Sequence, residues 1–156
     1  MTFDPQYGLA AAAAKNAHLQ AVDLYRCQAG KARRRCFWAF LTRTSAHLQA
    51  LCSGTQAGHS PAGAYMGMRT IPIETICGSE ERATDFDAFF RPLAAHNRER
   101  WVSVAEARLR GVSMPPVQLI ELSGRYYVRD GHHRISVAQA LGELDIDAEI
   151  VRWQMR

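Results

Sequence analysis

The spacing of hydrophobic residues changes between residues 125 and 142, from the period of a strand to that of a helix. Side chains alternate between two faces through Arg125–Arg129, as in a half-buried strand. Asp130-Gly131 interrupts the alternation, and Gly142 lies where a helix C-cap is expected. The hydrophobic positions between these two points have helical spacing: Ile135, Ala138 and Leu141. The sequence therefore predicts a strand, a glycine turn and a helix.

The other hydrophobic patterns of the second half predict an α/β (α+β) fold with a small mixed sheet. Val117–Leu122 is apolar on both faces, which favours a central strand, and Ser123-Gly124 predicts a hairpin turn after it. The remaining elements are a strand at Ile71–Ile76, a helical turn at Asp85–Phe90, a helix at Asn97–Arg110, and a half-exposed last strand containing Ile146, Ala148 and Ile150. The predicted order is β-α-α-β-β-α-β.

The first fifty residues predict two helices. Leu9–Ala29 is alanine-rich, Gly30 is expected to end it, and Lys31–Leu51 forms the second helix. The apolar stripe of the second helix comprises Phe37, Phe40, Leu41, Thr44, Leu48 and Leu51. We expect an antiparallel helical hairpin whose apolar face is covered by the other helix, the α/β domain or a second subunit of a homodimer.

The small, polar and glycine-rich composition of residues 53–68 predicts a linker. The chain of 156 residues is long enough for one small domain with an appendage. We therefore divide it into a helical hairpin at 1–52, a linker at 53–68 and an α/β domain at 69–156.

Charge is distributed unevenly along the chain. The formal net charge is +4, and no carboxylate occurs between Asp23 and Glu74. The basic residues of that interval include Lys31, Arg33, Arg34, Arg35 and Arg43. They make nucleic-acid binding an alternative function, although a solvated helix start explains the same run. Trp38 could stack on a base or pack in an interface, and we favour packing.

The ends of the chain and its cysteines point to an ordinary cytoplasmic protein. The N-terminus lacks the basic start and apolar core of a signal peptide, and no apolar run approaches the length of a membrane span. The four cysteines form no C-x-x-C pair, which favours reduced thiols over a zinc site.

The turn at Asp130–Arg134 is the strongest candidate site. A helix N-terminus leaves backbone N–H groups free and favours an anion, above all a phosphate. Gly131 permits close approach, Arg134 could grip a phosphate from this exposed turn, and His132 and His133 could donate hydrogen bonds or hold a proton. Asp130 could cap the helix, bind Mg²⁺ or activate a hydroxyl. Since adjacent helical residues point about 100° apart, we expect that the two histidines do not face one ligand equally.

The segment Gly124-Arg-Tyr-Tyr-Val-Arg-Asp-Gly-His-His-Arg-Ile-Ser-Val-Ala resembles the signature of the ParB/sulfiredoxin-like fold, in particular that of stand-alone ParB-like nuclease domain proteins. The resemblance extends over roughly residues 69–153, through Ile71–Ser79, Arg100-Trp101 and Pro115-Pro116. It implies that the turn binds nucleotide phosphates. The box differs from the Gly-Cys-His-Arg of sulfiredoxins and from the Gly-Glu-Arg-Arg of chromosome-partitioning ParB proteins. It is nearest in chemistry to the Asp-Gly-His-Thr-Arg of free-serine kinases.

A second polar cluster, Ser79–Arg82, follows the first predicted strand. The resemblance to free-serine kinases implies a catalytic glutamate in this region. Glu74, Glu80 and Glu81 are the candidates, and spacing alone does not choose among them. We assign phosphate binding to Ser79 and Arg82, and catalysis to Asp130, Glu81 and His132.

Three functions remain open from the sequence. The first is binding of a nucleotide or phosphorylated small molecule, with NTP hydrolysis or phosphoryl transfer and with Mg²⁺ as the expected cofactor. The second is a nucleic-acid-associated partition protein or nuclease that uses the basic N-terminal helix. The third is a non-catalytic interaction protein.

Overall fold

The computed structural model of the chain describes residues 5–45, 47–51 and 63–153, with side chains from residue 13 onward. This part of the chain folds as a six-stranded mixed sheet with three helices, which confirms the α/β class. The helices are α1 (Pro5–Thr42), α2 (Arg98–Leu109) and α3 (His132–Ala140). The strands are β1 (Gln49–Ala50), β2 (Gly63–Pro72), β3 (Ile76–Ser79), β4 (Val117–Leu122), β5 (Arg125–Asp130) and β6 (Asp145–Trp153), and 3₁₀ turns occur at Ile73–Thr75 and Ala95–Asn97.

The sheet has the order β1-β3-β5-β4-β6-β2. Strand β4 lies between β5 and β6, as its two apolar faces predicted, and is antiparallel to β5 and parallel to β6. Strands β1 and β3 are added parallel to β5, and β2 pairs antiparallel with β6. The parallel pairing of β3 with β5 brings the end of β3 beside the end of β5, where α3 begins.

The predicted strand, turn and helix around Gly131 are confirmed. Ser123 and Gly124 both have positive φ (52° and 77°), the geometry of a two-residue hairpin between twisted strands. Gly142 follows the end of α3 and has a φ of 81°. The amide of Gly142 donates to Gln139 O, and the amide of Glu143 donates to Ala138 O. These two bonds satisfy carbonyls that the helix end would otherwise leave free.

Two predictions between residues 71 and 92 are wrong. The strand expected at Ile71–Ile76 is two strands, because β2 ends at Pro72 and a 3₁₀ turn leads the chain from the β6 side of the sheet to the β5 side. The hydroxyl of Thr75 closes this turn by donating to Pro72 O at 2.7 Å. The helical turn expected at Asp85–Phe90 is not helical, since the Asp87 carboxylate accepts the amides of Phe89 and Arg91 and fixes a loop instead.

The predicted N-terminal hairpin is also wrong, because α1 is one helix of 38 residues, about 57 Å long. Gly30 lies inside it, and no atom lies within 4 Å of where its Cβ would be. The physical reason is a buried stripe that continues through this glycine without a change of phase: Ala17, Ala21, Tyr25, Ala32 and Ala39. Leu48 and Leu51 lie beyond the helix and are buried against the sheet instead.

The predicted linker at 53–68 overlaps an observed strand. Residues 63–68 belong to β2 and pair with β6, whereas residues 53–62 lie outside the described part of the chain. The division into units at 1–52 and 69–156 therefore stays a prediction.

The helices are stacked on one another through Trp101, which is fully buried in α2. Its indole packs edge-to-face on Tyr25 of α1, with ring centroids 5.6 Å apart, and donates a 2.7 Å hydrogen bond to Ser136 Oγ of α3. Helix α3 in turn buries Ile135 and Ala138 against the sheet. This stacking fixes the start of α3, and with it the candidate site. None of the helices in the described ranges is long and apolar enough to cross a membrane.

Candidate functional site

A cleft of about 370 Å³ opens at the N-terminus of α3. Seven of the eight residues that the sequence assigned to the nucleotide site line it: Glu81, Arg82, Asp130, Gly131, His132, His133 and Arg134. The eighth, Ser79, is fully buried behind His132. The structure thus brings together two segments, 79–82 and 130–134, that are about fifty residues apart in the sequence.

Gly131 is required at the turn for two reasons. Its φ of +100° is a backbone conformation that other residues rarely adopt. A Cβ at this position would lie 2.6 Å from Val117 Cγ1 and 3.2 Å from Arg134 Nε. Gly131 is also the N-cap of α3, and no side chain caps the helix there. The first-turn amides therefore have neither an intrahelical acceptor nor a capping side chain.

His132 is buried and held in one orientation. Its Nε2 forms a 2.7 Å hydrogen bond with Ser79 Oγ, and its ring stacks on Phe86 with centroids 5.8 Å apart. Ser79 Oγ also accepts the Arg82 amide at 2.8 Å. Ser79 therefore positions His132 and the loop at Arg82, and in this structure it does not reach the cleft as a phosphate-binding group.

His133 differs from its neighbour in its hydrogen bonding. It is 6% exposed and packs edge-to-face on the same Phe86 ring, with centroids 5.5 Å apart. Neither of its ring nitrogens has a hydrogen-bond partner among the described residues. The sequence predicted that the two histidines would not face one ligand equally. Both line the cleft and share one aromatic neighbour, but only His132 has a hydrogen-bond partner among the described residues.

Burial lowers the pKa of both histidines to about 4. Burial is the larger cause of this shift, and nearby positive charge is the second, from Arg82 for His132 and from Arg100 and Arg82 for His133. Both imidazoles are therefore neutral at pH 7. They offer a ligand hydrogen-bond donors and acceptors, and the positive charge comes from the arginines.

Arg134 is not the free phosphate grip that the sequence predicted. Its Nη1 donates to the carbonyls of Pro115 and Pro116 at 2.6 and 2.8 Å, and its Nη2 pairs with Asp130. Its side chain is 16% exposed, so the expectation of an exposed turn residue is wrong. Arg134 ties α3 to the segment that enters β4. Asp130 is its partner and does not cap the helix, which corrects the capping expectation.

Two exposed arginines at the cleft wall have no ion pair among the described residues: Arg82, which the sequence predicted, and Arg100, which it did not. Arg129 also lines the cleft, but its Nε is paired with Glu80 Oε2 at 3.0 Å. That ion pair removes Glu80 from the list of candidate bases. Glu74 lies exposed on the 3₁₀ turn at Ile73–Thr75 and does not line the cleft, so Glu81 is the glutamate that the structure places there.

The cleft does not offer a good resident site for Mg²⁺. No group of three His, Cys, Asp or Glu side chains that could hold a metal ion occurs among the described residues. Asp130, the predicted ligand, has one carboxylate oxygen committed to Arg134. The Mg²⁺ cofactor stays a prediction, and we derive no chemical step through it.

Four of the five basic residues assigned to nucleic-acid binding lie in the interior of α1 and not at a helix start. Lys31, Arg33 and Arg34 are exposed. Arg35 packs over the Phe89 ring at 4.4 Å, and Arg43 follows the end of the helix with a φ of 52°. The run at 31–35 is therefore not the start of a helix, which corrects the prediction of a second helix that begins at Lys31.

No protein-family model matches this sequence, and no curated protein matches it. Among solved structures, the chain is similar to the crystal structure of sulfiredoxin from Arabidopsis thaliana, with a TM-score of 0.41 and 22% identity. The similarity covers 53% of this chain and 82% of that one. The α/β class of this chain follows from its own helices and strands.

Proposed function

We propose that the cleft at the start of α3 binds the phosphate group of a nucleotide or another phosphorylated small molecule. The start of a helix of nine residues provides backbone donors and the positive end of the helix dipole. The cleft volume of about 370 Å³ is in the range of small-molecule sites.

The main support for this proposal is that the buried His133 side chain has no hydrogen-bond partner among the described residues. A buried polar group without a hydrogen bond costs free energy, and native proteins rarely leave one unpaired. Both ring nitrogens of His133 lack a partner among the described residues, although the residue lies in the first turn of α3 and lines the cleft. A phosphate oxygen bound there would accept a hydrogen bond from the neutral ring.

Arg82 and Arg100 provide the charge that an anion requires. Both lower the pKa of His133 through their positive charge, so they act on the same point of the cleft from two different segments. Hydrogen bonds from an arginine to phosphate are charge-assisted and can be bidentate. Arg134 contributes by holding the turn in place.

Binding is better supported than phosphoryl transfer or hydrolysis. A histidine with a pKa of about 4 is a weak base at pH 7, and Asp130 is neutralised by Arg134. Glu81 is the remaining predicted catalytic group with an exposed carboxylate at the cleft. We therefore propose a binding function, to which Glu81 could add proton transfer on a suitable ligand.

The test compares two arginines in the first turn of α2, Arg98 and Arg100. Inorganic phosphate, ATP, ADP and CTP are titrated by calorimetry into the wild type, Arg100→Gln and Arg98→Gln. Arg98 is exposed on the same helix but lines a different groove, so it is the matched control. We expect Arg100→Gln to weaken binding by about tenfold to a hundredfold, since a charge-assisted hydrogen bond contributes roughly 1.5–3 kcal/mol. We expect Arg98→Gln to bind like the wild type.

A second variant tests directly whether the His133 ring contributes to binding. His133→Phe keeps an aromatic ring against Phe86 and removes both ring nitrogens, and we expect it to fold and to bind phosphate more weakly. The proposal is wrong if the wild type binds none of the four ligands. It is also wrong if His133→Phe and Arg100→Gln bind them as tightly as Arg98→Gln does.

A further inference from the structure

The C-terminal half of α1 exposes a face that the cleft does not explain. Four large apolar side chains are more than half exposed there: Phe37 (61%), Trp38 (65%), Phe40 (80%) and Leu41 (55%). A soluble protein rarely exposes such residues side by side on consecutive positions without a function. We call the surface formed by Lys31, Arg33, Arg34, Phe37, Trp38, Phe40 and Leu41 the aromatic–basic face.

The orientation of this face is fixed by contacts on the opposite side of the helix. Ala32 and Ala39 are buried, and Arg35 packs over the Phe89 ring. The guanidinium of Arg91 also lies over this ring, 5.0 Å from its centroid. The helix therefore cannot rotate its aromatic residues inward without losing these contacts. The sequence predicted that Phe37, Phe40 and Leu41 would be covered by the other helix, the α/β domain or a second subunit. The part of the chain that the structure describes leaves all three more than half exposed.

Basic and aromatic side chains alternate along the face at helical spacing. Arg33 precedes Phe37 by four residues and Arg34 precedes Trp38 by four, so each arginine lies one turn from an aromatic ring. The Phe37 and Trp38 rings lie edge-to-face with centroids 6.5 Å apart, and both remain exposed.

The charge of the face indicates what covers it. The sequence has no carboxylate between Asp23 and Glu74, so a second copy laid on this helix would bring cations to cations. A polyanion is complementary to the same surface. Single-stranded nucleic acids combine phosphates with exposed bases, and proteins bind them by pairing basic side chains with aromatic platforms on which bases stack.

We propose that the aromatic–basic face of α1 binds single-stranded nucleic acid without sequence preference, with bases stacking on Trp38 and Phe37 and phosphates contacting Lys31, Arg33 and Arg34. This site lies outside residues 69–153 and is independent of the phosphate cleft. It assigns a role to Trp38, for which packing was predicted, and separates Arg33 and Arg34 from Arg35, which packs on Phe89.

The experiment measures fluorescence anisotropy of labelled single-stranded oligo-dT, oligo-dA and mixed-sequence RNA with the full chain. We expect binding at about 50 mM salt that weakens steeply by about 200 mM, as phosphate contacts require. Trp38→Ala should weaken binding by about tenfold or more, and Trp38→Phe should recover part of it because a ring still stacks. Arg34→Gln should weaken binding and reduce the salt dependence.

Matched controls are Leu19→Ala, which removes an exposed apolar side chain elsewhere on α1, and Arg125→Gln, which removes an exposed charge from β5. Both should bind like the wild type. Arg100→Gln should also leave oligonucleotide binding unchanged, which distinguishes this face from the phosphate cleft.

Four outcomes would overturn the inference. The first two are the absence of binding at low salt and binding that Trp38→Ala leaves unchanged. Another is tighter binding to the duplex formed by annealing oligo-dA with oligo-dT than to either single strand, since stacked base pairs offer no free faces. The last is sedimentation of the chain as a dimer that Trp38→Ala dissociates, which would assign the face to a second copy.

Discussion

At the scale of single residues, the first turn of α3 contains two histidines that burial keeps neutral. Their environments are similar, since both pack on Phe86, but their hydrogen bonding is not. His132 is bonded to Ser79, and His133 has no partner among the described residues. Because of this difference, His132 is a fixed lining residue of the cleft, and His133 is the histidine whose ring nitrogens can still form hydrogen bonds. The two residues also make stability depend on pH.

Stability should fall as the pH is lowered from about 6.5 to about 4. The folded pKa values are about 4, below the ordinary 6.5, so in this window the unfolded chain binds more protons than the folded chain. The free energy of unfolding is therefore highest above pH 6.5 and decreases as the pH approaches 4, by up to roughly 3 kcal/mol for each histidine. Urea denaturation across this range measures the effect. His133→Phe should remove about half of the slope, and a slope that this variant leaves unchanged would contradict the assignment.

At the scale of elements, α1 continues through a glycine that was expected to end it. Gly30 was expected to end the first helix of a hairpin, yet the buried stripe from Ala17 to Ala39 continues past it in phase. A glycine in a helix interior destabilises the helix by roughly 0.5–1 kcal/mol relative to alanine.

Gly30→Ala is consequently expected to raise the free energy of unfolding by about 0.5–1 kcal/mol, because a Cβ at this position meets no atom within 4 Å. Thermal unfolding monitored by circular dichroism measures this change. If Gly30 were a hairpin turn with positive φ, the same substitution would lower the midpoint. Gly131→Ala serves as the opposite control, since there a Cβ would lie 2.6 Å from Val117 Cγ1.

The sequence was sufficient for those elements whose pattern is local. The hairpin at Ser123-Gly124, the glycine turn at 131 and the end of α3 at Gly142 each depend on neighbouring residues, and all three are confirmed. The break between β2 and β3 could not be predicted in the same way. Ile71, Ile73 and Ile76 are all buried in one cluster, so their spacing looks like one strand until pairing with β6 and β5 separates them.

The candidate site was predictable to the same extent. The box at Asp130–Arg134 and the loop at Glu81 and Arg82 were identified from chemistry that lies in short segments. Arg100 was missed because only the packing of α2 against α3 brings it to the cleft. The role of Arg134 was missed because its acceptors, the carbonyls of Pro115 and Pro116, are backbone groups that no side-chain pattern marks.

At the scale of the whole molecule, the described residues present two separate basic surfaces on one stacked core. The cleft is lined by two neutral histidines, Arg82 and Arg100, and the aromatic–basic face lies on the exposed side of α1. Trp101 connects the helices between them, through Tyr25 on α1 and Ser136 on α3. The helix that was predicted to be an appendage is therefore part of the packing that holds α3, and the cleft at its start, in place.

This stacking predicts that α1 and the sheet unfold together. Tyr25 is buried against Trp101, so Tyr25→Ala should lower the free energy of unfolding by on the order of 3 kcal/mol. Far-UV circular dichroism reports mainly the helices. Tryptophan fluorescence reports the exposed Trp38 on α1, the buried Trp101 on α2 and Trp153 at the end of β6. The two signals should shift together to a lower temperature by about 2–4 °C per kcal/mol. Leu19→Ala, on an exposed position of α1, should leave both midpoints unchanged. Residues that pack in one core lose their structure in one cooperative step. If Tyr25→Ala lowered the midpoint of the circular dichroism signal and left the fluorescence midpoint unchanged, α1 would instead be a separate folding unit.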